Sequence, residues 1–348
     1  MTGAMSSRDL PTGQPQGDAL LSVRDLSVHF PLRHGILSHA VTLRAVDGVS
    51  FDLKPGETLG IVGESGCGKS TLGRAILRLI EPSGGQVAWM GRDFLGLDAR
   101  QLREQRRNMQ IIFQDPLASL DPRMTVGKII SKPLKTFHPE IRKAELRRRV
   151  IEVMQQVGLA PEMMNRYPHE FSGGQCQRIG IARAMILKPK LIVCDEPVSA
   201  LDVSIQAQVI NLLMRLQREH GLSLLFISHN LSVVRHISHR ILVLYLGKVM
   251  EIADRDSFYR RPLHPYSQAL ISAIPLPDPK LERQRQRIVL QGDLPSPVNP
   301  PAGCRFCTRC PKATEICHTT PPELRDHGIA AAGAAVPGAT HLVACHHT

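Results

Sequence analysis

The 348-residue sequence predicts an α/β fold with a mostly parallel sheet, on three observations. Residues 59–62 and 191–194 are short apolar runs and 222–227 is apolar but for Ser223, the pattern of strands buried on both faces. Stretches with helical spacing separate them, the longest being Val203–His220. One of these runs opens directly into a glycine-rich loop followed by a helical segment. Strands alternating with helices in this way imply a parallel sheet with helices on its faces.

The elements follow in order. Residues 21–60 alternate apolar and polar positions (Leu21, Val23, Leu26, Val28, Phe30, then Val49, Phe51, Leu53), which predicts short half-buried strands. Residues 71–80 have helical spacing and stop at Glu81-Pro82-Ser83-Gly84-Gly85. Residues 110–113 read as a strand. Residues 125–165 read as mainly helical, with Pro133 and Pro139 as breaks. A helix over 179–187 ends at Pro189, a strand covers 191–194, and a helix over 231–238 precedes a strand over 241–246. From Arg260 prolines become dense (Pro262, Pro265, Pro275, Pro277, Pro279), which marks a separate C-terminal extension. No internal repeat is visible.

Composition narrows the function. Apolar residues make up 43% and the formal net charge is +12, which suits a partner bearing phosphates or an anionic membrane face. The basic runs at 103–107 and 142–149 have helical spacing and read as solvated faces. The aromatic interleaving of nucleic-acid binders is absent, so no nucleic-acid partner is expected. No stretch approaches the roughly 20 apolar residues that span a bilayer. The first 20 residues lack the apolar centre of a signal peptide and read as a disordered tail.

Gly63-Glu64-Ser65-Gly66-Cys67-Gly68-Lys69-Ser70 fits G-x-x-x-x-G-K-[ST] between a strand and a helix. Its glycines let successive N–H groups face phosphate oxygens, and the helix N-terminus adds positive potential. Lys69 would reach the β- and γ-phosphates, Thr71 would add a phosphate contact, and the Ser70 hydroxyl would bind Mg²⁺. Cys67 reads as a small filler and not as a nucleophile. Asp195 and Glu196 close a buried strand, where α/β sheets bind ligands. Asp195 suits Mg²⁺, and Glu196 could polarise an attacking water. A plain N-cap is the alternative for the two acids. His229 follows another apolar strand and could donate to a γ-phosphate as charge develops.

Phe171-Ser172-Gly173-Gly174-Gln175 resembles the signature sequence of ABC ATPases, with Phe in its first place. Gln114 resembles the Q-loop glutamine, Ser199-Ala200-Leu201-Asp202 the D-loop, and His229 the switch histidine. The resemblance implies a RecA-like P-loop core with an antiparallel β subdomain and a helical subdomain at about 115–178. It covers residues 21–262, leaving a tail at 1–20 and a Cys-rich extension at 263–348. It implies ATP and Mg²⁺ as ligands, with Gln114 beside Ser70 and Asp195 on the metal, and catalysis by Glu196, His229 and Gln114. Two such ATPases would dimerise head to tail, each ATP lying between one P-loop and the partner's Ser172 segment. Ser172, Gly173 and Gly174 open a helix and would offer a second anion site. Phe30 is the candidate for stacking on adenine, with a core aromatic as the alternative. Cys176 stands where the family has a larger polar residue, with little effect expected.

Residues 45–51, 114–122 and Pro262-Leu263-His264-Pro265-Tyr266 resemble the oligopeptide/dipeptide importer branch. So does the Cys-Arg-Phe-x-x-Arg-Cys-Pro segment at 304–311. This resemblance implies a second, different ATPase subunit, two transmembrane permease subunits and an extracytoplasmic substrate-binding protein. It implies a peripheral place on the cytoplasmic face of the bacterial inner membrane. Nickel importers share the features, and a soluble non-transport ABC ATPase is a further alternative. Four cysteines, Cys304, Cys310, Cys317 and Cys345, fit the branch pattern, and Cys307 is extra. In a reducing compartment such a group reads as metal-binding. The resemblance favours a structural [4Fe–4S] cluster, with Zn²⁺ or free thiols as alternatives and His318, His341 and His346 as substitute ligands.

Overall fold

The computed structural model describes residues 19–32, 41–275, 278–284, 287–328 and 340–348. The tail expected at 1–20 lies outside the described residues except for its last two. Strands β1 (Leu21–Leu32), β2 (Val41–Leu53) and β3 (Thr58–Val62) lead into α1 (Lys69–Ile76). Then come β4 (Gly84–Trp89), β5 (Arg92–Asp93), α2 (Ala99–Arg106), β6 (Met109–Ile112), α3 (Val126–Phe137), α4 (Lys143–Gln156) and α5 (Gly173–Met185). Strand β7 (Leu191–Asp195), α6 (Val203–His220), β8 (Ser223–Ile227), α7 (Leu231–Ile237), β9 (Arg240–Tyr245) and β10 (Lys248–Asp254) complete the centre. Helices α8 (Arg255–Arg260), α9 (Pro265–Ser272), α10 (Pro279–Gln284) and α11 (Glu315–Thr319) precede the short strands β11 (Arg325–Asp326) and β12 (Leu342–Val343).

Two sheets result. An antiparallel sheet runs β2-β1-β4-β5, and the main sheet runs β11-β12-β10-β9-β3-β8-β7-β6. In the main sheet β9, β3, β8, β7 and β6 are parallel neighbours, and β10, β12 and β11 add an antiparallel edge. The period-2 geometry of a strand divides the apolar runs between two cores. Leu191 and Val193 of β7, with Leu225 and Ile227 of β8, face the core shared with the antiparallel sheet and α1. Ile192, Cys194, Leu224 and Phe226 face the opposite core, which holds residues of α3, α5 and α6. Strands covered on both faces have no polar side to alternate with, which explains their continuous apolar sequence.

Two sequence expectations change. Pro133 lies inside α3 and does not break it. A proline there removes one backbone hydrogen bond. Burial of Val126, Ile129, Ile130 and Leu134 in the core around α5 holds the helix through that loss. The change of sequence texture at Arg260 marks no break in the sheet. Val343 pairs with Glu251 and Leu342 with Ile252, so the chain end extends the central sheet. The basic run on α4 is a solvated face as expected, with Arg148 and Arg149 each 2.7 Å from Glu145. On α2, Arg106 turns inward and donates to the carbonyls of Leu77 and Arg78.

A buried carboxylate fastens this edge. Glu251, fully buried on β10, accepts the N–H groups of Leu263 and His264, both at 2.9 Å. His341, just before β12, places Nε2 at 2.6 Å from the same carboxylate. Burial holds the His264 pKa down to about 4, so its Nδ1 stays free to accept the Tyr266 N–H at 3.0 Å. Replacing His341 by alanine removes a side-chain partner from a charged acceptor, worth about 2 kcal/mol. The variant is expected to unfold at correspondingly lower denaturant, with the loss read from urea titrations.

Candidate functional site

The glycine-rich loop joins β3 to α1, and its path is set by backbone that crowds it. A Cβ at Gly68, where φ is +91°, would lie 1.8 Å from the Ala45 carbonyl oxygen. A Cβ at Gly63 would lie 2.1 Å from that of Leu244. Only glycine fits either place. The Gly247 N–H, in the turn after β9, donates to the Cys67 carbonyl at 2.8 Å and ties the loop to the main sheet. Ser65 and Gly66 are exposed at the loop tip, and Thr71 is half-buried. Cys67 is buried, and burial pushes its thiol up to about 11, in keeping with a filler that stays protonated.

Lys69 is 5% exposed, and its ammonium donates to the carbonyls of Gly63 at 3.0 Å and Glu64 at 3.2 Å. It also sits 3.7 Å from Glu196 Oε1. At the other oxygen of Glu196, Gln114 Nε2 donates at 3.2 Å and His229 Nδ1 stands at 3.2 Å. One carboxylate therefore gathers the loop lysine, the glutamine after β6 and the histidine after β8. The backbone of Glu196 is strained, with φ +47° in the left-handed region. Its N–H bonds the Ile227 carbonyl at 3.0 Å and its carbonyl accepts from Ser199, which together fix that conformation.

Beside it the Ser70 hydroxyl donates to Asp195 Oδ1 at 2.6 Å, and Arg74 lies 3.4 Å from Oδ2. Asp195 is 1% exposed. A hydroxyl and a carboxylate in contact are hard oxygen donors of the kind Mg²⁺ takes, so these residues fit that ion. Gln114 meets Glu196 and not this pair. Phe30 is half-buried on β1 opposite Leu43 and packs at the margin of the core there. A cavity of 450 Å³ lined by Arg107, Arg148 and Glu152 contains none of these groups and lies away from the chemistry.

The Ser172 segment stands apart. Ser172 caps α5 in a reciprocal box, accepting the Gln175 N–H at 3.4 Å while Gln175 Oε1 accepts the Ser172 N–H at 3.0 Å. Gly173 and Gly174 pack against Leu201 and Ile205, a Cβ at Gly174 falling 2.4 Å from Ile205. Phe171 is buried in the helical core. Asp202 caps α6 through the Ile205 N–H at 3.0 Å, a bond that holds its carboxyl below the usual range. Among the described residues no hydrogen bond joins this segment to Lys69 or Glu196.

The cysteine-rich extension folds as one lobe, with the Cys304 N–H bonding the Cys317 carbonyl at 2.8 Å. Cys304 lies near enough to Cys307, Cys317 and Cys310 to feel their charge, and Cys310 near enough to Cys345 and Cys317. Among the described residues no group of three or more His, Cys, Asp or Glu side chains is arranged to hold a metal ion. The cysteines are free, and burial pushes the Cys304 thiol up to about 12. Among the described residues His347 Nε2 stands 3.4 Å from Cys317 Sγ, while His341 meets Glu251 and His346 the Thr320 carbonyl. Sequence reading also missed Arg305 and Arg309. They lie between cysteines but reach Asp47 at 2.6 Å and Glu64 at 2.8 Å, and only the fold reveals such distant partners.

The chain is similar to known proteins over most of its length. The family described as ABC transporter matches residues 46–199, and the oligopeptide/dipeptide transporter C-terminal region matches 250–317. The oligopeptide transport ATP-binding protein OppF of Salmonella typhimurium is 60% identical over 312 residues, covering 89% of this chain and 93% of its own. AppF of Bacillus subtilis, with the same description, is 54% identical over 331 residues, covering 94% and 97%. The ATP-binding cassette MJ0796, in a dimeric post-hydrolysis structure bound to ADP and Pi, superposes with a TM-score of 0.61 at 28% identity. That match covers 68% of this chain and 98% of the cassette.

The loop geometry carries a prediction. Gly68→Ala forces a Cβ onto the Ala45 carbonyl in a backbone conformation that L-residues avoid, a strain of about 2 kcal/mol before the clash is counted. Both the melting temperature and nucleotide binding, followed by calorimetry, are expected to fall sharply.

Proposed function

This chain belongs to the ABC transporter family of ATP-binding subunits, and on that premise we propose that it hydrolyses ATP to energise import of oligopeptides. The observation that carries the reading is the convergence of Lys69, Gln114 and His229 on the Glu196 carboxylate. Those three residues come from separate loops, and a plain N-cap has no use for them. The oligopeptide assignment is supported by the relatives named OppF and AppF and by the match over the C-terminal region.

Each residue has a task that follows from its chemistry. The glycine-rich loop offers N–H groups to the β- and γ-phosphates, and Lys69 exchanges its two carbonyl partners for phosphate oxygens. Ser70 and Asp195 would hold Mg²⁺, which would offset negative charge on the phosphates. Glu196, released from Lys69, accepts a proton from the attacking water. His229 donates to the γ-phosphate as negative charge grows there, and Gln114 keeps Glu196 oriented. Ser172, Gly173 and Gly174 present a capped helix start for the triphosphate of a partner ATPase. Loss of the γ-phosphate bridge lets the pair open.

Spanning subunits are part of this reading, because no helix among the described residues is long and apolar enough to cross a membrane. We place the chain at the cytoplasmic face of the inner membrane, working with permease subunits, a second ATPase and a substrate-binding protein. No catalytic step is assigned to the cysteine lobe. Glu196→Gln keeps the shape of the site and removes the base. Turnover by the assembled transporter is expected to fall by about 10²- to 10⁴-fold while ATP binding persists. Unchanged turnover would remove Glu196 from its role.

A further inference from the structure

The glycine-rich loop contains one acidic residue, Glu64, and its carboxylate bonds to the cysteine lobe. Arg309, in the short turn Cys307–Arg309 of the cysteine lobe, donates Nη1 to Glu64 Oε2 at 2.8 Å. The Arg309 side chain is only 11% exposed. The Glu64 N–H donates to the Tyr266 hydroxyl at 2.9 Å, so both the backbone and the side chain of this loop residue are held by the C-terminal region. Phe306 seats the turn, with its ring 5.3 Å from the rings of Tyr245 and Tyr266. A second arginine repeats the arrangement. Arg305 donates to Asp47 Oδ2 at 2.6 Å, and the Asp47 N–H bonds Gly247, the residue whose own N–H braces Cys67 in the loop.

We propose that Arg309 is a positioning residue for ATP binding. It draws the Glu64 carboxylate out of the phosphate cradle and balances its charge. The physical need is direct. A carboxylate inside a loop that binds a triphosphate repels the ligand, and in a partly buried site that repulsion is poorly screened. A guanidinium at hydrogen-bond distance fixes the carboxylate on the far side and offsets its charge. The cysteine lobe thereby completes the nucleotide site from outside the ATPase core. The proposal rests on the ATPase reading.

The test uses the full chain assembled with its transporter partners and measures KM and kcat for ATP together. Arg309→Ala is expected to raise KM about tenfold, and kcat should stay within about twofold. Arg309→Lys, which keeps a charge at that place, should recover most of the loss. In a Glu64→Gln background no charge remains to be held, so removing Arg309 should move KM by less than about twofold. Arg309→Gln repeats the comparison if the alanine variant fails to fold. Two results would overturn the proposal: an unchanged KM in Arg309→Ala, or the same tenfold loss in the Glu64→Gln background, which would mark plain fold support. A wild-type complex that does not hydrolyse ATP would instead overturn the ATPase reading, and the positioning role with it.

Discussion

Everything in the site turns on the Glu196 carboxylate. Lys69 stands on one of its oxygens, and Gln114 and His229 stand on the other. Four strand ends have to be level for this to happen, and the register of the main sheet makes them so. Ile111 of β6 lies beside Val193 of β7, and Asp195 of β7 beside Ile227 of β8. β3 pairs with β8 from Thr58↔Leu224 to Ile61↔Ile227, so the glycine-rich loop leaves the sheet at the same edge. A slip of one residue in any of these ladders would turn a catalytic group away from the centre. The strained backbone at Glu196 belongs to the same constraint, because its two backbone hydrogen bonds keep the carboxylate in reach.

The surrounding architecture serves that edge from three directions. The antiparallel sheet presses on the loop through the Ala45 carbonyl, which leaves Gly68 no room for a side chain. The helical part carries Ser172 on its own capped helix, away from Glu196. In the proposed head-to-tail pair that helix start would face the nucleotide of the partner ATPase. The C-terminal lobe comes from the third side. Its strand β12 extends the sheet through Glu251 and His341, and its arginines reach Asp47 and Glu64.

Much of this was legible in the sequence, for local reasons. The runs at 191–194 and 222–227 read as buried strands, and the acidic pair follows the first and Ser228-His229 the second. The glycine spacing at 63–70 identifies a phosphate cradle because few other conformations use it. What sequence reading missed is non-local. Pro133 looks like a breaker until the core around α5 is in place to hold α3. β12 is two residues long and pairs with β10 across a long interval of chain, so it does not read as a strand alone. Arg309 sits among cysteines, which drew attention to metal binding, while its partner lies far back in the chain. His341 reads as a substitute ligand by spacing, yet Glu251 claims it.

The most direct measurement of the central claim is a structure of the assembled transporter with ATP and Mg²⁺ bound, prepared with Glu196→Gln to hold the nucleotide. The account predicts a γ-phosphate between Lys69 and His229, and an ordered water between residue 196 and the γ-phosphorus. It also predicts the Ser172–Gly174 segment of the partner ATPase closing on the far side. A triphosphate bound with residue 196 still at Lys69, and with no partner helix start in contact, would contradict it.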